Sequence, residues 1–171
     1  VQGQPSLITK IRYYYVSGNL ANSTSWTLYM GNTTQGNFGS TTNWIPLTGL
    51  TQVFSGNIVA PAGNSWLEIT LDTPFLYDGT SNLVVGVDEN TAGYSSITWR
   101  NHTTGANRSM YFYSDSNNPD PNSPPTASGR FGSVPQTQFE HTPASTCGAT
   151  LTHTTTLASD DDVCVGDVVY F

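Results

Sequence analysis

The sequence predicts an all-β protein, built as a jelly-roll β-sandwich of about eight antiparallel strands. Charged residues make up only 10% of the chain, whereas Thr, Ser, Asn and Gly are abundant, and these residues favour strands and turns over helices. Aromatic residues reach 12%, which suits β-sheets. Short apolar runs recur between turn residues along the chain, a spacing typical of sandwiches and jelly rolls.

In the first half of the chain, alternating apolar residues mark the strands. Residues 7–16 are the first predicted strand, and its inner face would carry Leu7, Ile11, Tyr13 and Tyr15. The second predicted strand alternates Trp26, Leu28 and Met30 with polar residues. Residues 50–55 follow as a short strand. The cleanest period of two then belongs to Leu67, Ile69 and Leu71.

The next strand, residues 83–87, is apolar except for Gly86 and is bounded by turn residues. Such a run is typical of a strand buried on both faces, at the centre of a sheet or between two layers. It ends at Asp88, Glu89 and Asn90, three oxygen-bearing side chains in a row. We therefore expect this strand to anchor the core and its exit to suit a cation.

The remaining predicted strands are residues 95–100, 108–113 and 134–141, with residues 101–107 as a turn. Residues 108–113 would direct Met110 and Phe112 inward and leave Tyr111 and Tyr113 outward. The loop of residues 114–128 is dense in Asp, Asn, Ser and Pro. No regular structure is expected there.

Composition divides the chain into a module of residues 1–141, a Thr-rich linker of residues 142–158, and the first strand of a truncated second β-domain, residues 159–171. Cys147 and Cys164 both lie beyond the module. They would pair with each other in an oxidising compartment, or each with a cysteine elsewhere. Since the chain begins at Val1 and ends within a strand-like pattern, we expect a piece of a longer, processed polypeptide.

The charge pattern and the motif content exclude several functions. Five residues are basic against twelve acidic, so the basic surface that nucleic-acid binding needs is absent. No run of about 18 apolar residues is present, so no membrane span is predicted. No nucleophile elbow, zinc-protease motif or phosphate loop occurs. Glu68 and Asp72 share a strand face, but a solvated outer face explains them better, and we expect no enzyme.

Several spaced phrases between residues 5 and 141 carry a family resemblance. The phrases are Leu28-Tyr-Met-Gly31, Trp44-Ile-Pro-Leu47, Gln52-Val-Phe-Ser-Gly56, Thr73-Pro-Phe75, Asn82-Leu-Val-Val-Gly-Val-Asp-Glu-Asn90 and Arg108-Ser-Met-Tyr-Phe-Tyr-Ser-Asp115. Together they resemble the cleaved-adhesin and MAM-like jelly-roll modules of large secreted surface proteins of Bacteroidota. Residues 159–171 are similar to the start of the immunoglobulin-like repeats that follow such modules.

This resemblance implies export by the type IX secretion route, an extracellular or cell-surface location, and a place in a multidomain adhesin, gliding protein or filament. The calcium motifs of the family have no match in this chain position for position. A calcium site must therefore be sought from the residues themselves.

Two stretches are candidate Ca²⁺ sites, because this ion takes roughly six to eight oxygen ligands. Their candidate ligands are Asp88, Glu89 and Asn90 in the first stretch, and Asp115, Asn117 and Asp120 in the second. The alternative for the first is a strand end that caps its own turn. The alternative for the second is an Asx-rich turn, since EF-hand spacing is missing. A third acidic run, residues 160–162, would bind a cation or form a solvated linker.

Exposed aromatic residues offer the second candidate chemistry. Tyr111 and Tyr113 would face outward, with Tyr94 in a nearby turn, while Arg100 and Arg108 would supply hydrogen-bond donors. A β-sandwich can hold a sugar by stacking aromatic rings on it while polar side chains fix its orientation. The alternative is ordinary packing beneath the long polar loop.

Taken together, these features predict a non-catalytic adhesion module that binds a cell-surface glycan or protein, with calcium as a structural cofactor. One alternative is a structural module that self-associates in an extracellular filament. Another is a carbohydrate-binding appendage of a secreted hydrolase.

Overall fold

The structure, a computed structural model, describes residues 3–144. These residues form eleven strands and one 3-10 turn, Leu47–Gly49, with no α-helix. The strands are β1 (Ser6–Gly18), β2 (Ser25–Thr33), β3 (Thr51–Asn57), β4 (Ser65–Tyr77), β5 (Asn82–Glu89), β6 (Ile97–Trp99), β7 (Asn101–Thr103), β8 (Ser109–Tyr111), β9 (Gly129–Phe131), β10 (Ser133–Pro135) and β11 (Thr137–Pro143). All their pairings are antiparallel, so the all-β class is confirmed. Over this range no helix has the length and apolar character needed to cross a membrane.

The prediction of about eight strands was too low. β7 lies in the predicted turn of residues 101–107, β9 was not predicted, and the predicted strand of residues 134–141 is divided into β10 and β11. β7, β9 and β10 have three residues each, too few to establish a period of two. The division follows Pro135, which has no N–H for a continuous ladder.

The strands assemble into two larger sheets and two ribbons. The four-stranded sheet has the order β11-β1-β4, and β6 also pairs with β1. The three-stranded sheet has the order β3-β2-β5. The ribbons are β7–β10 and β8–β9. Both long central strands, β1 and β2, are therefore paired on either side.

One hydrophobic core joins the two larger sheets. Trp26, Leu28 and Met30 enter it from β2, as the alternation predicts. The inner residues of β4 are Leu67, Ile69, Leu71, Phe75 and Tyr77. The rings of Tyr13 on β1 and Trp26 on β2 meet edge to face, with centroids 6.3 Å apart. This geometry is favourable for aromatic pairs, and it ties one sheet to the other.

A β-bulge in β1 corrects the prediction for its first residues. The register against both β4 and β11 shifts between Ile8 and Lys10. Because an extra residue reverses the alternation on one side of a bulge, Ile8 is buried and Leu7 is 37% exposed. The inner positions of Ile11, Tyr13 and Tyr15 agree with the prediction.

β5 is neither central in its sheet nor buried on both faces, contrary to the prediction. It pairs only with β2 and forms an edge of the three-stranded sheet. Leu83 and Val85 pack against the core, whereas Val87 is 45% exposed. An apolar run predicts a strand but does not identify the strands beside it. β5 is apolar because one of its sides packs against the core and the other lines a cleft.

Candidate functional site

A cleft of about 2050 Å³ lies along β5, and every residue from Asn82 to Glu89 contributes to its lining. Its other walls include β7, β8, residues 35–38, residues 90–95 and residues 114–119. β5 pairs with β2 on one side only. Its second edge therefore has no strand partner within residues 3–144, and its backbone N–H and C=O groups are available there.

Amide side chains outnumber charged ones in the lining of the cleft. The charged residues in the lining are Asp88, Glu89, Arg108 and Asp115. The lining amides whose side chains form no hydrogen bond with the described chain include Asn37, Asn82, Asn101 and Asn117. Such groups both donate and accept hydrogen bonds without carrying charge. The polar groups of the cleft are thus largely uncharged.

Three exposed aromatic rings form a stack at the margin of the cleft. The rings of Tyr111 and Phe131 are 5.0 Å apart between centroids and inclined by 3°. Those of Tyr111 and Tyr113 are 6.2 Å apart and inclined by 16°. Tyr113 is 70% exposed and Phe131 is 52% exposed. We call Tyr113, Tyr111 and Phe131 the aromatic stack.

The β8–β9 ribbon places this stack on one of its two faces. In its register Tyr111 pairs with Gly129, Met110 with Arg130, and Ser109 with Phe131. Paired residues share a face and successive residues alternate. Phe131 is therefore on the same face as Tyr111, and Met110 lies on the opposite face, as predicted.

Gly129 leaves the space that the central ring of the stack, Tyr111, occupies. A Cβ at this position would lie 3.0 Å from Cε1 of Tyr111 and 3.2 Å from its hydroxyl oxygen. These contacts are closer than a side chain tolerates without displacement of the ring. The missing side chain lets Tyr111 lie against the ribbon, where Phe131 can stack on it.

The long loop, residues 114–128, is fixed to the rest of the fold at both ends. Trp44 Nε1 donates a hydrogen bond of 2.7 Å to the Pro125 carbonyl, and the Ala127 amide donates one of 2.8 Å to the Thr41 carbonyl. Asn118 Nδ2 donates a bond of 2.7 Å to Asn90 Oδ1. The loop therefore bridges from the ribbon to the exit of β5. As predicted, no helix or strand occurs in it.

At the exit of β5, the oxygen atoms predicted as calcium ligands engage the protein itself. Glu89 Oε1 accepts a bond of 2.7 Å from the Thr91 amide. Asp88 Oδ2 accepts one of 3.1 Å from Asn90 Nδ2. Asn90 Oδ1 is bound by Asn118. These bonds match the alternative interpretation, a strand end that caps its own turn.

The second calcium candidate also forms local turns. Asp120 Oδ1 accepts bonds from the Asn122 amide at 2.9 Å and from its side chain at 3.0 Å. The first of these bonds is the main reason why the pKa of Asp120 lies below its ordinary value. The Asn117 amide donates to Ser114 Oγ. Within residues 3–144 no three His, Cys, Asp or Glu side chains gather as a metal cluster.

The structure brings the two calcium candidates towards one tyrosine. Burial is the largest cause of the raised pKa of Tyr29 on β2, and the charges of Asp88 and Asp120 raise it further. Asp88 lies opposite Thr27 in the register of β5 with β2.

The predicted ligand-binding residues divide into two groups. Tyr94, Arg108, Tyr111 and Tyr113 line the cleft. Arg100 lies elsewhere, with its guanidinium carbon 4.2 Å from the ring centroid of Tyr14, a cation–π contact. Cys147 and Cys164 lie outside the described residues.

Glu68 and Asp72, which share a strand face, are engaged in separate contacts. Glu68 binds Arg12 at 2.6 Å and Lys10 at 3.2 Å. Asp72 Oδ2 accepts a hydrogen bond of 2.9 Å from the Ser55 amide. Both arrangements hold strands together.

Phe131 is the member of the aromatic stack that sequence reasoning missed. It follows Gly129 and Arg130 within a three-residue strand, and only the register with β8 places it beside Tyr111. The alternation of Gly129 and Phe131 around Arg130 was the one available signal.

No family model matches the chain, and no curated protein or solved structure matches it significantly.

Proposed function

We propose that this chain is a non-catalytic adhesion module of a secreted cell-surface protein, and that it holds a glycan in the cleft beside the aromatic stack. Its fold would be the jelly-roll sandwich of the Bacteroidota modules that its phrases resemble, and its location extracellular. The observation that carries the proposal is the parallel stack of Tyr113, Tyr111 and Phe131 at the margin of the cleft.

Adjacent exposed aromatic rings form an apolar patch, and such patches on a protein surface mark binding sites. Covering the rings with an apolar surface is favourable because it releases the water on them. The axial C–H groups of a sugar ring provide such a surface, while its hydroxyl groups need neutral donors and acceptors. Amides such as Asn82 and Asn101 line the same cleft. Aromatic rings and free amides together fit a glycan better than they fit an apolar peptide.

The test is binding of the full 171-residue chain to a glycan array, in calcium and again in EDTA. Binding that is abolished by Tyr113→Ala supports the proposal. Loss of binding in EDTA would add calcium as the structural cofactor, acting at Asp88 or at Asp120. No binding in either buffer would overturn the proposal.

The unpaired edge of β5 favours a second candidate function, assembly with other copies of this chain in a filament. An exposed strand edge is a template for a further strand. Light scattering over a range of concentrations tests this. Self-association that Val87→Lys abolishes would support the filament, because a lysine on an edge strand opposes pairing. A monomer at all concentrations would overturn it.

A further inference from the structure

We infer that the aromatic stack and the adjoining cleft select uncharged glycans over anionic ones. This inference rests on the proposed function and names the chemical class of its ligand. It follows from where the β8–β9 ribbon places its charges.

The two faces of the ribbon differ in chemistry. The stack face carries Ser109, Tyr111, Gly129 and Phe131, none of them charged. Arg130 pairs with Met110 on the opposite face, where its guanidinium donates a bond of 2.7 Å to the Phe38 carbonyl. Arg108, which precedes β8, lines the cleft. A sulfate or carboxylate on a sugar above the stack would therefore meet no cation on the stack face.

The field of the whole chain also opposes anionic sugars. The formal net charge is −7 at pH 7, and an acidic protein repels an anionic polymer before contact. In the cleft itself three carboxylates, Asp88, Glu89 and Asp115, accompany one guanidinium, that of Arg108. An anionic glycan would enter against this balance.

The polar groups of the lining also suit a neutral sugar. One carboxylate oxygen of Glu89 and one of Asp88 accept hydrogen bonds from Thr91 and Asn90. The free polar groups that remain are largely amides, as at Asn37, Asn82 and Asn101. An amide side chain can donate a hydrogen bond to a hydroxyl group and can also accept one from it, without carrying a charge. The lining therefore suits a neutral, hydroxyl-rich chain.

The experiment measures binding of the full chain to two matched sets of oligosaccharides by calorimetry. The sets are neutral manno-, galacto- and gluco-oligosaccharides, and sulfated and uronate forms of the same backbones. We expect binding to the neutral set only, with a Kd that changes less than about twofold between 50 mM and 500 mM NaCl, because uncharged contacts are not screened. Preference for the anionic set, or a strong salt dependence, would overturn the inference and leave the proposed function standing. No binding to either set would overturn both.

Variants locate the contact within the molecule. Phe131→Ala and Tyr113→Ala should each weaken binding roughly fivefold or more, the equivalent of one aromatic contact. Gly129→Ala should weaken it by displacing Tyr111 while every ring is retained. The control is Val59→Ala, since Val59 is an exposed apolar residue that does not line the cleft. Neutral-glycan binding that Phe131→Ala and Tyr113→Ala leave unchanged would refute the assignment to the stack.

Discussion

Gly31 on β2 is a position where the neighbouring atoms leave no room for a side chain. It is buried, and its φ is not in the left-handed region that favours glycine. A Cβ there would overlap Cδ2 of Leu50 and lie 2.9 Å from the Gly49 carbonyl oxygen. The chain that precedes β3 can cross β2 closely only because this side chain is missing.

Gly31→Ala should therefore lower the free energy of unfolding by about 1–3 kcal/mol, the usual cost of overpacking a core. Urea denaturation measures it. The matched control is Gly86→Ala on the neighbouring strand, where the nearest atom to a Cβ is Cβ of Tyr29 at an ordinary 3.7 Å. Equal destabilisation by the two substitutions would contradict the packing argument.

Individual inner positions were predictable wherever alternation ran without interruption. On β2 and β4 the large buried side chains are the ones that a period of two requires, and the buried residue out of phase is Gly31. On β1 the bulge after Ile8 reversed the face of Leu7. No local signal marks that bulge, because the residues around it, Thr9 and Lys10, are compatible with a regular strand.

At the level of elements, four charged side chains connect three strands on the outer face of the larger sheet. Lys10 and Arg12 extend from β1, Glu68 from β4 and Glu140 from β11. Arg12 Nη2 lies 2.6 Å from both carboxylates. Its hydrogen bonds are the largest cause of the lowered pKa values of Glu68 and Glu140.

This network predicts how stability depends on pH. Because the folded pKa values lie below the ordinary value of 4.5, the network stabilises the fold fully above pH 4.5, and its contribution is lost as the pH falls through the lowered values. In the double variant Glu68→Gln/Glu140→Gln, the free energy of unfolding should decrease less as the pH falls below 4.5. This low-pH part of the plot of unfolding free energy against pH is its acid limb. Gln138→Ala, on the same strand as Glu140, is the control. An unchanged acid limb in the double variant would contradict the prediction.

Trp44 attaches the long loop to the fold through a single indole hydrogen bond to the Pro125 carbonyl. Trp44→Phe keeps an aromatic ring and removes the donor, so we expect a loss of about 0.5–1.5 kcal/mol. The effect should be local. Hydrogen exchange of the Ala127 amide, which is bonded to the Thr41 carbonyl, should accelerate relative to that of Ile11 in the core.

Trp66→Phe is the control for the loop. Trp66 packs edge to face on Tyr14 with centroids 5.1 Å apart, away from residues 114–128. This substitution should leave exchange at Ala127 unchanged. A uniform acceleration across all amides in Trp44→Phe would show that the hydrogen bond does not act locally.

The sequence identified the long strands but not how they pair. Residues 83–87 were correctly predicted as a strand and wrongly as one buried on both faces, because an apolar run does not encode which neighbours it has. The short strands β7 and β9 exist only through their partners β10 and β8. Elements of three residues are determined by tertiary contacts rather than by local propensity.

At the scale of the whole molecule, the candidate site joins elements that are far apart in sequence. Tyr111 and Tyr113 were predicted to face outward from the pattern of β8 alone. The cleft beside them needs β5, which ends some twenty residues earlier, and the stack needs Phe131, twenty residues later. Such a site depends on strand register across the ribbon, which one sequence does not reveal.

The shared core also predicts that both sheets unfold together. Leu28 on β2 is fully buried in the cluster to which β1 and β4 contribute. Leu28→Ala removes core volume from both sheets at once and should cost about 2–5 kcal/mol. Since the cavity weakens one common core, the tryptophan-fluorescence and far-UV dichroism transitions should shift to lower urea concentration together. Val59→Ala, at a position that is 83% exposed, should leave both midpoints unchanged. Separation of the two transitions in Leu28→Ala would mean that the sheets unfold as independent units.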